Sequence, residues 1–139
     1  MSTVNKLMSR GVVPPQVHGV LDYPLAAILI AGPLVLNFDD TAAKVIALVF
    51  GGGATVLAVG TAWPTGIVKV IPPIVHGYAD IVVTVALIVL AFALGLEDHT
   101  AAFVFYLAVG AGGLLATLET RFPPLRATTT PAMMRHEAA

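Results

Sequence analysis

The sequence contains no cysteine. Disulfides, thiolate metal sites and cysteine nucleophiles are therefore excluded. Charge is scarce as well. Only 11% of the 139 residues are Asp, Glu, Lys or Arg, against about 25% in an ordinary soluble domain. The formal net charge of −1 leaves no basic patch of the kind nucleic acid requires. A phosphate-binding glycine loop and a His-Glu-x-x-His motif are both missing. No small-residue cleavage site follows a short apolar core, so a removable signal peptide is not expected at the N-terminus.

What the chain has is apolar length. Hydrophobic residues make up 58% of it, in four runs near Val17–Asn37, Ala42–Ala62, Ile74–Gly95 and Ala101–Leu118. Each is close to the ~20 residues that a bilayer-spanning helix needs. The runs are apolar all round, which a soluble bundle with a wet face does not tolerate. The expected fold is all-α: an integral membrane four-helix bundle of two tandem transmembrane hairpins. One transmembrane domain is expected over residues 1–124, with a C-terminal tail at 125–139.

Short acidic links, Asn37 to Thr41 and Leu96 to Thr100, join the first and last pairs of runs. In each, an acidic residue or Thr is placed to cap the next helix. The longer middle link, Trp63 to Pro73, ends in prolines that suit a helix start. Lys6, Arg10, Lys69, Arg121, Arg126 and Arg135 lie on the two tails and the middle link, and Asp39, Asp40, Glu97 and Asp98 on the other two. The positive-inside rule then predicts cytoplasmic termini in the cell (inner) membrane. Trp63 and Phe122 are expected as anchors at that interface.

One stretch occurs twice. Val13-Pro14-Pro15-Gln16-Val17-His18-Gly19-Val20-Leu21-Asp22 returns as Ile71-Pro72-Pro73-Ile74-Val75-His76-Gly77-Tyr78-Ala79-Asp80. Without gaps, the match continues from Asp40 with Asp98 to Gly52 with Gly110 and Ala58 with Ala116. The repeat unit is a hairpin, about 13–66 and 71–124. Two hairpins that start on the same side form a parallel repeat about an axis along the membrane normal. The second and fourth helices carry Gly51, Gly52, Gly53 and Gly110, Gly112, Gly113. Small residues there let helix backbones approach closely.

With these residues in view, the segment from Gly66 to Asp80 resembles the repeat junction of the SPW-repeat integral membrane proteins. That family has a Pro-x-x-Val-His-x-x-x-Asp opening. Its Ser-Pro-Trp signature falls here on Gly32-Pro33-Leu34 and Leu90-Ala91-Phe92. Pro33 and an aromatic at Phe92 are kept; the Ser and Trp are replaced. The resemblance implies a small bacterial or archaeal multi-pass membrane protein and supplies no reaction.

His18 and Asp22 are four residues apart, as are His76 and Asp80, so each pair shares a helix face. Ionisable side chains at such depth face a bundle interior and find partners. By the repeat, all four are expected to converge near the cytoplasmic side. Three roles remain open: structural polar contacts, a proton or ion relay, or a metal or haem site with His18 and His76 as ligands.

Other polar groups are expected to be ordinary. Tyr23, Tyr78 and Tyr106 read as packing or interface aromatics, and Glu119 with Arg121 as a surface pair. His99 and His136 read as solvated. Ser2 and Ser9 have no adjacent His to activate them. The leading expectation is a non-catalytic membrane subunit or scaffold that packs with copies of itself or a larger complex. A proton or small-solute carrier is the alternative, and a metal- or haem-binding protein the third.

Overall fold

The computed structural model describes Thr3, Lys6 and residues 10–123. Ser2, Ser9, Arg126, Arg135, His136 and the expected tail lie outside the described residues. The described chain holds four long helices: α1 (Pro15–Val35), α2 (Thr41–Gly60), α3 (Pro73–Ala93) and α4 (Thr100–Leu118). Their bounds fall within two residues of the apolar runs. At ~1.5 Å per residue, 19–21 residues reach across the ~30 Å hydrocarbon layer.

Local chemistry sets the ends. Pro15 and Pro73 occupy the first turns of α1 and α3, where the N–H that proline lacks has no helical partner anyway. α1 ends with Asn37 in the left-handed region (φ 47°). There Phe38 N–H donates to Pro33 O at 3.1 Å and Asn37 N–H to Leu34 O at 3.2 Å. This is a Schellman stop, with Asn in the place usually taken by Gly. Gly95 takes the same left-handed position after α3 (φ 65°). Asp40 caps α2 by accepting from Ala43 N–H at 2.6 Å. The matching expectation for α4 differs: His99 precedes it without a side-chain cap, because a short 3-10 turn, Leu96–Asp98, fills that link.

α1 lies against α2 and α3 against α4, with a lesser contact between α1 and α4. Leu29, Phe38, Leu87, Leu96, Phe105 and Tyr106 form the main core. Phe38 and Phe105 meet edge to face at 5.3 Å. Tyr106 O–H donates to Ala43 O at 2.7 Å, tying α4 to α2. The outward surface is equally apolar: Val20, Val45, Val56, Val82, Val104 and Leu115 are exposed. Such a surface suits lipid and would not suit water. The chain is a small multi-pass membrane protein of four apolar helices.

The register of the second hairpin differs from the gapless match. Pro15 and Pro73 open α1 and α3 and are 58 apart, whereas Thr41 and Thr100 open α2 and α4 and are 59 apart. The 3-10 link carries the extra residue. Gly51 therefore corresponds to Gly110, and Thr61 to Thr120. Two bridges agree: Val13 pairs with Thr120 and Ile71 with Thr61.

The glycines divide accordingly. A Cβ on Gly51 would lie 2.6 Å from Ile30 Cγ1, and one on Gly110 2.8 Å from Ile88 Cγ1 and 2.9 Å from Thr84 O. One on Gly113 would lie 2.8 Å from Thr84 Cγ2. These three sit where α1 or α3 crosses closely. Gly52, Gly53 and Gly112 do not: a Cβ there would meet nothing within 4 Å. Helical rotation of ~100° per residue turns them away from the contact that Gly51 and Gly110 make.

Candidate functional site: a two-histidine, two-aspartate centre

His18 and Asp22 lie in the first two turns of α1, and His76 and Asp80 in those of α3. The four side chains meet. His18 Nε2 lies 3.3 Å from Asp22 Oδ1 and 3.0 Å from Asp80 Oδ2. His76 Nε2 lies 3.3 Å from Asp22 Oδ2 and 3.1 Å from Asp80 Oδ2. One ligand atom from each residue falls within a 4.8 Å cluster. Both imidazoles and Asp22 are buried, and the Asp80 side chain keeps 23% of its surface open.

Two threonines set the tautomers. Thr61 Oγ1 is 2.6 Å from Leu57 O and 2.7 Å from His76 Nδ1. Thr120 Oγ1 is 2.7 Å from Ala116 O and 2.9 Å from His18 Nδ1. A carbonyl oxygen carries no proton, so each hydroxyl proton lies on the bond to its carbonyl. The hydroxyl oxygen must then accept from Nδ1–H. Each His is therefore protonated at Nδ1 and turns Nε2 to the centre.

That has a chemical consequence. A neutral imidazole of this tautomer presents a lone pair at Nε2, facing carboxylate oxygens that also only accept. Four converging acceptors repel unless something positive lies among them. Either each Nε2 carries a second proton, giving two imidazolium–carboxylate pairs, or a cation takes their place.

Aromatic rings close the site from the loop side. Trp63 packs on His76 with ring centroids 4.5 Å apart, and Phe122 on His18 at 5.4 Å. The sequence places Trp63 and Phe122 as interface anchors, but both are buried, at 4% and 1% exposure. Folding the proline-ended segments back over the helix starts draws them inward. Tyr23 fastens α1 to the middle link by donating to Thr65 O at 2.7 Å.

The two His rings stand 5.8 Å apart at 82°, with carboxylates between their Nε2 atoms. A bis-histidine haem needs that gap for its macrocycle, so these residues do not fit a porphyrin between His18 and His76.

Beside the centre, a cavity of about 560 Å³ lies among all four helices. His18, Asp22 and Asp80 form one part of its wall, and Gly53 and Gly112 another. Among the remaining groups, His99 Nδ1 meets Asp39 Oδ1 at 2.9 Å across the two acidic links. This pair holds the His99 pKa above, and the Asp39 pKa below, their ordinary values. Thr61 and Thr120 escape sequence reasoning because the gapless match sets Thr61 opposite Glu119. A one-residue gap in the second acidic link brings the threonines into register and would have revealed them.

Comparison with known protein families, curated proteins and solved structures finds no match to this chain.

Proposed function

We propose that this membrane protein is a non-catalytic structural subunit whose His18/Asp22/His76/Asp80 centre binds a zinc-like divalent ion and so ties the two hairpins together. The observation that carries the proposal is the pair of Thr-fixed imidazoles, which turn both Nε2 lone pairs onto the same two carboxylates. Four nitrogen–carboxylate contacts measure 3.0–3.3 Å, with Asp22 presenting Oδ1 to His18 and Oδ2 to His76. One donor atom from each residue falls within 4.8 Å of the others, and an ion with ~2.0–2.1 Å bonds and ~3.3 Å tetrahedral edges would draw the four groups inward. Nitrogen and oxygen donors of this kind suit zinc and related ions. Four protein ligands leave no open coordination position, which is the mark of a structural site rather than a catalytic one.

The repeated His-x-x-x-Asp openings, with a threonine serving each His, support placing the chain as a divergent relative of the SPW-repeat proteins. The exposed Arg10, Lys69 and Arg121 at the end that carries the centre support cytoplasmic termini in the inner membrane. The centre then lies one to two turns inside the cytoplasmic boundary.

The test is elemental analysis of the full chain purified in mild detergent without chelator, followed by zinc equilibrium dialysis. One zinc per chain is expected, lost in His18→Gln and His76→Gln. A wild-type chain that takes up no zinc, nickel or cobalt at micromolar concentration overturns the proposal.

A further inference from the structure

The centre can be approached from two sides. One is the cavity, whose wall is built largely from apolar side chains such as Leu21, Leu25, Ile28, Leu57 and Val83. A hydrated ion taking that way would shed its water among hydrocarbon groups, at the cost of an unpaired charge. The other is the loop side, where Trp63 and Phe122 lie on the two imidazoles. Trp63 is buried, whereas its neighbours Ala62 and Pro64 are exposed. One indole ring, carried by an otherwise exposed stretch of the middle link, covers His76.

Two polar atoms under this cover are unpaired. Trp63 Nε1 and Thr65 Oγ1 are buried and have no hydrogen-bond partner among the described residues. A buried indole N–H normally finds an acceptor, and a buried donor without one is worse off than in water. Both atoms lie over Gly19, where a Cβ would stand 2.6 Å from Thr65 Oγ1 and 3.1 Å from Trp63 Nε1. The closed position thus holds two dry polar atoms against α1, and an outward swing of the link would give both to water. The stretch is built to move as one turn. Gly66 N–H donates to Trp63 O at 3.0 Å, while Ala62 N–H to Ile71 O and Ile67 N–H to Val59 O, both 2.8 Å, pin its two ends.

The Phe122 side is held differently. Val13 N–H donates to Glu119 O at 2.8 Å, Arg121 N–H to Val13 O at 3.0 Å and Arg121 Nε–H to Gly11 O at 3.1 Å. Phe122 has no polar side-chain atom to leave unpaired. Over Trp63 the tie to α1 is the single bond from Tyr23 O–H to Thr65 O, at 2.7 Å. The counterpart of Tyr23 in the second repeat is Ile81, which cannot make such a bond.

We propose that residues 63–66 are a lid over the four-group centre, latched by Tyr23, and that the centre exchanges its ion through this lid. The ion rests on the zinc reading above; the movement of the lid does not.

Trp63 is the sole tryptophan, so its fluorescence reports the lid without any metal. It does not line the cavity, so a quencher reaches it from the loop side. The experiment measures acrylamide quenching of the full chain in lipid nanodiscs without metal, then zinc exchange on the same samples by stopped flow against a fluorescent chelator. Tyr23→Phe is expected to increase quenching. It should also raise the zinc association and dissociation rates together, by about three- to tenfold for one lost hydrogen bond, with Kd unchanged. Gly19→Cys combined with Thr65→Cys, oxidised to a disulfide, straps the lid to α1. It is expected to reduce quenching and to slow both rates at least tenfold. A merely structural Tyr23 would change Kd instead. Equal quenching in the wild type and both variants, or altered quenching with unaltered zinc rates, overturns the inference. A wild type that binds no zinc sinks the metal reading alone, and quenching then decides the lid.

Discussion

Thr61 Oγ1 lies 2.7 Å from His76 Nδ1 while donating its own proton to Leu57 O. This one contact decides which nitrogen of His76 faces the carboxylates. Thr120 does the same for His18. Partners of this kind that orient a ligand are typically worth 10–100-fold in metal affinity. Thr61→Val and Thr120→Val are each expected to weaken zinc binding by about that factor. Thr61→Ser keeps the hydroxyl and should restore most of it. Equal affinity in the Val and Ser variants would show that the threonine does no orienting.

The close helix contacts are expected at Gly51 and Gly110. Gly110→Leu would drive a side chain into Ile88 and the Thr84 carbonyl. Overpacking of this sort costs about 1–3 kcal/mol or more. Gly52→Leu adds a side chain where nothing lies within 4 Å and should leave stability near the wild type. Thermal unfolding in detergent checks both, and equal loss at the two positions would contradict the assigned register.

The His99–Asp39 pair gives the end of the bundle opposite the four-residue centre a pH dependence. Its His pKa is raised and its Asp pKa lowered, chiefly by their mutual hydrogen bond. The raised His99 contributes stability below its ordinary 6.5, lost as pH rises through its folded value. The lowered Asp39 contributes above its ordinary 3.8, lost as pH falls through its folded value. The pair is therefore strongest between those two ordinary values. Titration of His99 by NMR should give a midpoint above 6.5, returning toward it in Asp39→Asn. An unchanged midpoint in that variant would remove the pairing.

The four spans and the two His/Asp pairs were legible in the sequence because each rests on a local rule. Apolar runs of bilayer length read as spans, and i,i+4 spacing reads as a shared face. The threonines were hidden by something non-local. The link after α1 holds Asp39 and Asp40 between the buried Phe38 and Thr41, while the link after α3 holds Glu97, Asp98 and His99 between the buried Leu96 and Thr100. One extra residue shifts all of α4 against α2. The shift sets Gly51 rather than Gly52 opposite Gly110, and Thr120 rather than Glu119 opposite Thr61.

Trp63 and Phe122 failed for a different reason. An aromatic at the end of an apolar run reads as an interface anchor. Here the chain folds back through the Thr61–Ile71 and Val13–Thr120 bridges and lays the rings on His76 and His18. The cavity was also invisible, since it depends on how far two hairpins splay apart.

His76 Nε2 and Asp22 Oδ2, on different hairpins, lie 3.3 Å apart. Asp22→Asn and His76→Gln should therefore be non-additive in unfolding stability, with a coupling of about 0.5–3 kcal/mol. A double-mutant cycle in detergent measures it. Additivity within ~0.5 kcal/mol would mean that the two hairpins do not share one centre.

The most direct test of the proposed metal site is isothermal titration of the full chain with zinc, repeated across pH and in buffers of different ionisation enthalpy. Metal binding must displace whatever protons occupy the ligand atoms. Uptake of one zinc per chain is predicted, with release of up to one proton from each of His18 and His76. Affinity should fall as pH is lowered, because protons reclaim Nε2. The four ligands should be needed together, so that Asp22→Asn or Asp80→Asn lowers affinity as His18→Gln does. Absence of zinc binding, or binding that is unaffected by both pH and these substitutions, would contradict the account.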